Sequence, residues 1–229
     1  WNVMNWKTPE ILHYGMLDLQ GVKLSKTESR KMIEGKNYKG WDDPRVWSMQ
    51  SLEKRGIQPK AIRGFVIKMG LSLADVSTPV EILYSENRKL IDSVANRYFC
   101  VLNPVKISVN SKIKSSTAQL HPDFPKRGKR KIPVNPNKIY IEKDDFENSR
   151  NNEVGLMNLF SVRLDTNSEI TSNDVKYEIP KIHWVSEPNV KVKIMMPDGK
   201  KLKVIAEPTI KKLKKGDIVQ FPRIGFARL

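Results

Sequence analysis

Asn103-Pro104 divides the chain into two textures that one kind of layer cannot accommodate. Upstream, apolar residues recur at helical spacing. One helix is predicted near Val46 to Arg55, stopped by Gly56. A second has Pro59 in its first turn, carries Ala61, Ile62, Phe65, Val66 and Met69 on its apolar side, and stops at Gly70. A third takes Thr78 as cap and Pro79 as first residue, with Ile82, Leu83, Leu90, Ile91 and Val94 facing a core. Downstream the pattern shortens to β-branched or alternating runs: Val105 to Val109, Lys138 to Ile141, Val154 to Leu156, Ser161 to Leu164, Val175 to Ile179, Ile182 to Val185, Val190 to Met196 and Lys200 to Ile205. Asp217 to Phe221 and Ile224 to Ala227 close the series. Turn signals such as Pro197-Asp198-Gly199 separate them, the texture of antiparallel barrels. The expected class is α+β, with helices first and antiparallel barrels after. Trp1 to Gly21 holds only short apolar pieces, which suits the end of a larger domain, and the absence of an initiator methionine suggests a fragment.

Charge narrows the partner. The formal net charge is +16 over 229 residues, and the excess is uneven: +5 over residues 1–98 and +11 over 99–229. Basic residues cluster between Lys112 and Lys138 and again between Lys191 and Lys215, a distribution that points to a polyanion, although a solvated face also carries charge. Cys100, the single cysteine, excludes an internal disulfide framework and reads as a buried thiol in a reducing compartment. No apolar run reaches membrane-spanning length, and no signal-peptide pattern opens the chain, so the expected location is cytoplasmic.

The chemistry-bearing string is Lys23-Leu24-Ser25-Lys26-Thr27. Its two ammonium groups and two hydroxyls can meet a polyphosphate, with Lys26 as the point charge where negative charge builds during transfer. Ser25 and Glu28 also read as a capping box that starts a helix through Arg30, Met32 and Ile33, ended by Gly35. The readings are compatible, because a helix N-terminus favours anions. Gly40-Trp41-Asp42-Asp43-Pro44-Arg45 follows.

In this order the two strings resemble the KMSKS loop and the GWDDPR string of class I aminoacyl-tRNA synthetases of the glutamyl and glutaminyl subfamily. The resemblance continues through His121-Pro122-Asp123, Gly128-Lys129-Arg130-Lys131-Ile132-Pro133, Ile139 to Phe146, Glu153-Val154, Leu156-Met157-Asn158, Lys181-Ile182-His183-Trp184-Val185-Ser186, Ala206-Glu207-Pro208 and Lys215 to Phe221. The bacterial glutamyl type, with its helical anticodon domain, does not suit the strands. The short terminal part resembles the archaeal or eukaryotic glutamyl type more than the glutaminyl type.

The resemblance implies that residues 1–35 end a Rossmann-type catalytic domain and that 36–100 form a helical stem-contact region. It implies anticodon-binding barrels over 101–229, the proximal one from 101–120 and 205–229 and the distal one over about 121–204. It implies ATP and Mg2+ as cofactors, glutamate as substrate, and tRNA(Glu) as partner, with tRNA(Gln) a second partner if the source is archaeal. It places Lys26 in catalysis and Lys23, Leu24, Ser25, Lys26 and Thr27 at the nucleotide. Arg130 and Asn158 fall where the family makes anticodon contacts, flanked by Lys126, Arg127, Lys129 and Lys131 for the backbone; each lysine also reads as a plain solvated charge. The HIGH-type motif is not formed by His13, His121 or His183, so the chain by itself is expected to be inactive. No metal-ligand spacing is evident. A monomer is expected. Two alternatives stay open: a glutaminyl-tRNA synthetase, and a non-catalytic RNA-binding β-barrel protein, which leaves Lys23 to Thr27 unexplained.

Overall fold

The computed structural model describes residues 1–229, the side chain of Asn2 excepted, and divides into two compact units, residues 1–90 and 91–229. In the first, β1 (Leu17–Gln20) pairs in parallel with β2 (Val76–Pro79). Helices α1 (Lys26–Glu34), α2 (Met49–Lys54), α3 (Pro59–Met69) and α4 (Glu81–Ile91) accompany them. Leu19, Leu52, Ile57, Phe65 and Leu83 form the buried centre. Ser48 caps α2, its hydroxyl accepting the Ser51 N–H at 3.1 Å, and α3 opens on Pro59 and ends at Gly70, whose φ of 68° suits a residue without a side chain. The expected Thr78 cap is corrected. Thr78 is buried within β2, opposite Leu19, because pairing with β1 claims the residues before the helix.

The second unit is built from short strands. They are β3 (Asn96–Arg97), β4 (Cys100–Leu102), β5 (Pro104–Val109), β6 (Ser115–Gln119), β7 (Lys129–Pro133) and β8 (Ile139–Glu142). After helix α5 (Lys143–Ser149) come β9 (Glu153–Leu156), β10 (Phe160–Arg163), β11 (Asn167–Ser172), β12 (Lys181–Ile182) and β13 (Val185–Ser186). The series closes with β14 (Val190–Met195), β15 (Lys201–Ala206), β16 (Ile218–Phe221) and β17 (Gly225–Arg228).

The largest sheet has the order β12-β9-β10-β11-β5-β8-β13, and smaller sheets run β14-β15-β4, β17-β16-β3 and β6-β7. These are open sheets with two ends, so the architecture is mixed α/β. Most pairs are antiparallel, as the turn-rich sequence implies, but β11 with β5, β12 with β9 and β16 with β3 are parallel. Val175 to Ile179 is not a strand; the pairing falls earlier, on Asn167–Ser172. The run from Ile182 to Val185 is broken by His183 and Trp184, and the flanking pieces go to opposite ends of the large sheet.

Two apolar clusters hold the unit. The larger surrounds Val101, Ile107, Ile132, Ile141, Leu156 and Trp184; the smaller includes Tyr98, Cys100, Val204, Val219 and Phe221. Trp184 is fully buried and donates its indole N–H to the Met157 carbonyl at 2.9 Å, which satisfies the one polar atom of its ring. Burial pushes the Cys100 thiol up to about 12, consistent with a structural thiol rather than a nucleophile.

Between these clusters lies a buried ion pair. Arg130 Nε donates to Glu207 Oε1 at 2.6 Å, with both side chains almost wholly removed from solvent. Glu207 also accepts the Phe99 N–H at 3.0 Å and the Thr209 hydroxyl. Removing one member of such a pair strands the other charge, at a cost of about 3–5 kcal/mol. Glu207→Leu is therefore expected to lower unfolding stability by about that much. Adding Arg130→Met should restore a substantial part. Urea unfolding of both variants checks this, and a double variant no more stable than the single one would count against a strongly coupled pair.

Candidate nucleotide and nucleic-acid interfaces

In the first unit, Ser25 caps α1: its hydroxyl accepts the Glu28 N–H at 3.2 Å, and Gly35 ends the helix, as the sequence pattern implies. The Glu28 carboxylate receives Lys23 Nζ at 2.7 Å. This hydrogen bond and the negative charge of Glu28 raise the Lys23 pKa. Leu24, Lys26 and Thr27 are exposed around the same helix end. The first-turn N–H groups and the Lys26 ammonium make this an end that favours an anion.

The Trp41 to Arg45 string is mostly internal bracing. Asp43 is buried and accepts Arg45 Nε at 2.8 Å, Arg45 Nη2 at 2.8 Å, and the backbone N–H groups of Lys39 and Arg45 at 3.0 and 3.1 Å. The Arg45 guanidinium lies 4.4 Å from the centre of the Tyr38 ring. Asp42 holds Lys54 at 2.6 Å in an exposed pair. Each interaction closes a tight turn that leads into α2.

In the second unit, the sequence-predicted RNA contacts separate into two groups. Lys126, Lys129, Lys131 and Asn158 are exposed. Asn158 occupies the turn between β9 and β10 with φ of 62°, a conformation asparagine tolerates, and its carbonyl accepts the Ser116 hydroxyl. Arg127 is partly buried; its guanidinium donates to the Ser93 and Val94 carbonyls and to Asn96 Oδ1, the last at 2.7 Å, tying the short 3-10 turn Pro125–Arg127 to the chain after α4. Arg130 is buried against Glu207, with its guanidinium 5.5 and 5.1 Å from the Tyr98 and Phe99 ring centres. Each guanidinium is committed to groups within the protein.

The missed signal was the alternation of β7, which turns Lys129 and Lys131 outward and Arg130 inward.

The histidines differ in role. His13 is exposed. His183 is buried, and burial lowers its pKa against the opposing pull of Glu142, whose carboxylate lies 3.5 Å away. His121 is fully buried and stacks edge-on against Phe124 with centres 4.8 Å apart. Asp92, His121 and Asp123 are the one group among the described residues whose donor atoms cluster closely enough for a metal ion. However, His121 Nδ1 accepts the Asp123 N–H at 3.1 Å. With Nδ1 accepting, a neutral ring carries its proton on Nε2, which lies 4.0 Å from Asp92, makes no hydrogen bond, and offers no lone pair to a metal.

Comparison with known proteins gives this arrangement a family. Residues 1–93 match the model described as tRNA synthetases class I (E and Q), catalytic domain; residues 95–180 and 181–229 match two models of the anti-codon binding domain of the same class. The chain belongs to the class I tRNA synthetases of the E and Q type. Its relatives include the glutamate–tRNA ligase of Thermococcus kodakarensis, 38% identical over 98% of this chain and 42% of that protein. The glutamate–tRNA ligase of Pyrococcus abyssi shows the same 38%, 98% and 42%, and that of Methanobrevibacter smithii is 35% identical over 99% of this chain and 42% of its own length. The chain thus spans about two fifths of the relatives it matches.

Hydrogen bonds from Arg45 hold the Asp43 carboxyl well below the usual carboxylate range, against the opposing effect of burial. A depressed folded pKa contributes stability in full above about pH 5 and loses it as pH falls through the folded value. Asp43→Asn is expected to cost about 2 kcal/mol at neutral pH. Urea unfolding at pH 7, 5 and 3 should show that gap unchanged between the first two and narrowed at the third; a gap that widens in acid would contradict the assignment.

Proposed function

We propose that this chain is part of a glutamate–tRNA ligase, contributing an ATP-handling loop and the tRNA-binding surface. The observation that carries the reading is the ordered match of one catalytic and two anti-codon binding models along the chain, joined to 35–38% identity with archaeal glutamate–tRNA ligases. In this reading residues 1–35 end the catalytic domain, 36–100 contact the acceptor stem, and 101–229 form proximal and distal anticodon-binding barrels.

ATP with Mg2+ supplies the phosphoanhydride whose cleavage activates the glutamate carboxyl. Toward it, Lys26 and the N–H groups at the start of α1 bind the phosphates, and Ser25 fixes that helix end. Lys23 joins them when it leaves Glu28. Lys26 acts as the charge that stabilises the transferring group, while Leu24 and Thr27 shape the loop. The rest of the catalytic apparatus lies outside this chain, which is therefore inactive alone.

Toward tRNA, Lys126, Lys129 and Lys131 engage backbone phosphates and Asn158 offers a donor and an acceptor to an unstacked base. Arg127 holds the turn that carries Lys126, and Arg130 holds β7, which carries Lys129 and Lys131. The partner is tRNA(Glu), with tRNA(Gln) a second substrate in this reading. The enzyme is a cytoplasmic monomer.

The test is binding of this chain to a tRNA(Glu) transcript, to the same transcript with its central anticodon base changed, and to tRNA(Gln), each at two salt concentrations. The expected result is a loss of affinity on the base change that persists at the higher salt. Equal, steeply salt-dependent binding to all three would sink anticodon reading by this surface.

A further inference from the structure

The basic segment from Lys191 to Lys215 has no part in the anticodon reading above, yet it is strongly one-sided in charge. It holds nine lysines against Asp198 and Glu207. All nine lysines are exposed, whereas Glu207 is buried and spent on Arg130. Four of them form a ladder on the β14–β15 hairpin: Lys191 and Lys193 on one strand, Lys201 and Lys203 on the other, with Lys193 directly opposite Lys203.

Like charges facing across a strand pair destabilise it. Along each strand, alternate residues lie about 6.6 Å apart, a repeat of the same order as successive phosphates of a nucleic-acid strand. No aromatic residue occurs between Val190 and Lys215, so the face lacks a platform on which bases could stack.

The surface continues beyond the hairpin. A 3-10 turn, Pro208–Lys212, packs against both β14 and β7, and carries exposed Lys211 and Lys212 next to the strand that presents Lys129 and Lys131. Glu207, at the start of that turn, is pinned to Arg130 of β7. The buried pair thus ties the turn that carries Lys211 and Lys212 to the strand that carries Lys129 and Lys131, about eighty residues earlier in the sequence.

We propose that the β14–β15 hairpin and the turn after it form a second RNA-docking surface, which binds the sugar-phosphate backbone without reading bases. This rests on the reading of the chain as a tRNA binder. Flexible ammonium groups at regular spacing neutralise phosphates and release counterions, and each such contact adds about 0.7–0.9 to the slope of log affinity against log salt.

The test compares the wild-type chain with K191A/K193A/K201A/K203A and with K126A/K129A/K131A, titrating the tRNA(Glu) transcript and its central-anticodon variant over a salt series. The hairpin variant is expected to bind both transcripts at least about tenfold more weakly at low salt, with a salt slope lower by roughly 3 and the ratio between transcripts unchanged. A single change, K193E, should weaken RNA binding yet raise the melting temperature, because it turns a repulsive cross-strand pair into an attractive one; this separates binding from folding.

Wild-type affinity and slope in the hairpin variant would overturn the second surface while leaving the anticodon reading intact. Loss of discrimination between transcripts in that variant would also overturn it, by making the hairpin a base reader. If vesicles of phosphatidylcholine and phosphatidylserine bind more tightly than RNA and release on the hairpin substitutions, the surface belongs to a membrane and the proposal fails. Failure of the wild-type chain to bind either transcript would remove the parent reading itself.

Discussion

A carboxylate with no exposed surface stands where three distant stretches of the second unit meet. Glu207 accepts a backbone N–H from Phe99, between β3 and β4, takes the Arg130 guanidinium from β7, and anchors through Thr209 the 3-10 turn that follows β15. Taking two charges out of water is expensive, and their attraction offsets that only when geometry is good and the remaining donors and acceptors are filled. Here the carboxylate has three separate donors, and the guanidinium also reaches the Gln119 carbonyl and packs near two aromatic rings. Apolar side chains of similar volume would supply burial without direction. The ion pair adds direction: it allows one register of β7 against the turn, and that register decides where Lys129, Lys131, Lys211 and Lys212 emerge.

The same arrangement explains why only part of the site was legible in the sequence. Local rules worked where local energetics decide. Ser25 and Gly35 bound α1, Pro59 and Gly70 bound α3, and the Pro197-Asp198-Gly199 turn joins two fully registered strands. They failed where a distant partner decides. Thr78 satisfies every local requirement for a cap, yet parallel pairing with Leu19 takes it into a strand. The β6 strand, Ser115–Gln119, has no apolar alternation strong enough to announce itself and exists because β7 pairs with it. Arg130 sits in a run of basic residues that reads as one surface, and only strand periodicity, combined with a buried acid seventy-seven positions away, turns it inward. Family resemblance carried no information about which cations of this segment are used up inside.

Charge in this protein therefore does two kinds of work, distinguished by burial rather than by residue type. Glu207 with Arg130 is shielded on both sides, and Asp43 is buried beneath an exposed Arg45; both carboxylates are multiply hydrogen-bonded and coupled to the backbone, so losing either partner would leave a buried carboxylate short of donors. Lys23 with Glu28 is different. Both groups face water, and exposed pairs of this kind contribute little to stability because solvent and salt screen them.

That weakness suits a loop expected to handle polyphosphate. A phosphate arriving at the N-terminus of α1 competes with one screened carboxylate for Lys23, while Ser25 keeps the helix end in place through a bond to the Glu28 backbone rather than to its side chain. Glu28 can thus let go of the lysine without loosening the cap. The helix start is built so that its rigid contact runs through the main chain and its labile one through side chains. In the proposed reading, that labile pair is the one an arriving phosphate would displace.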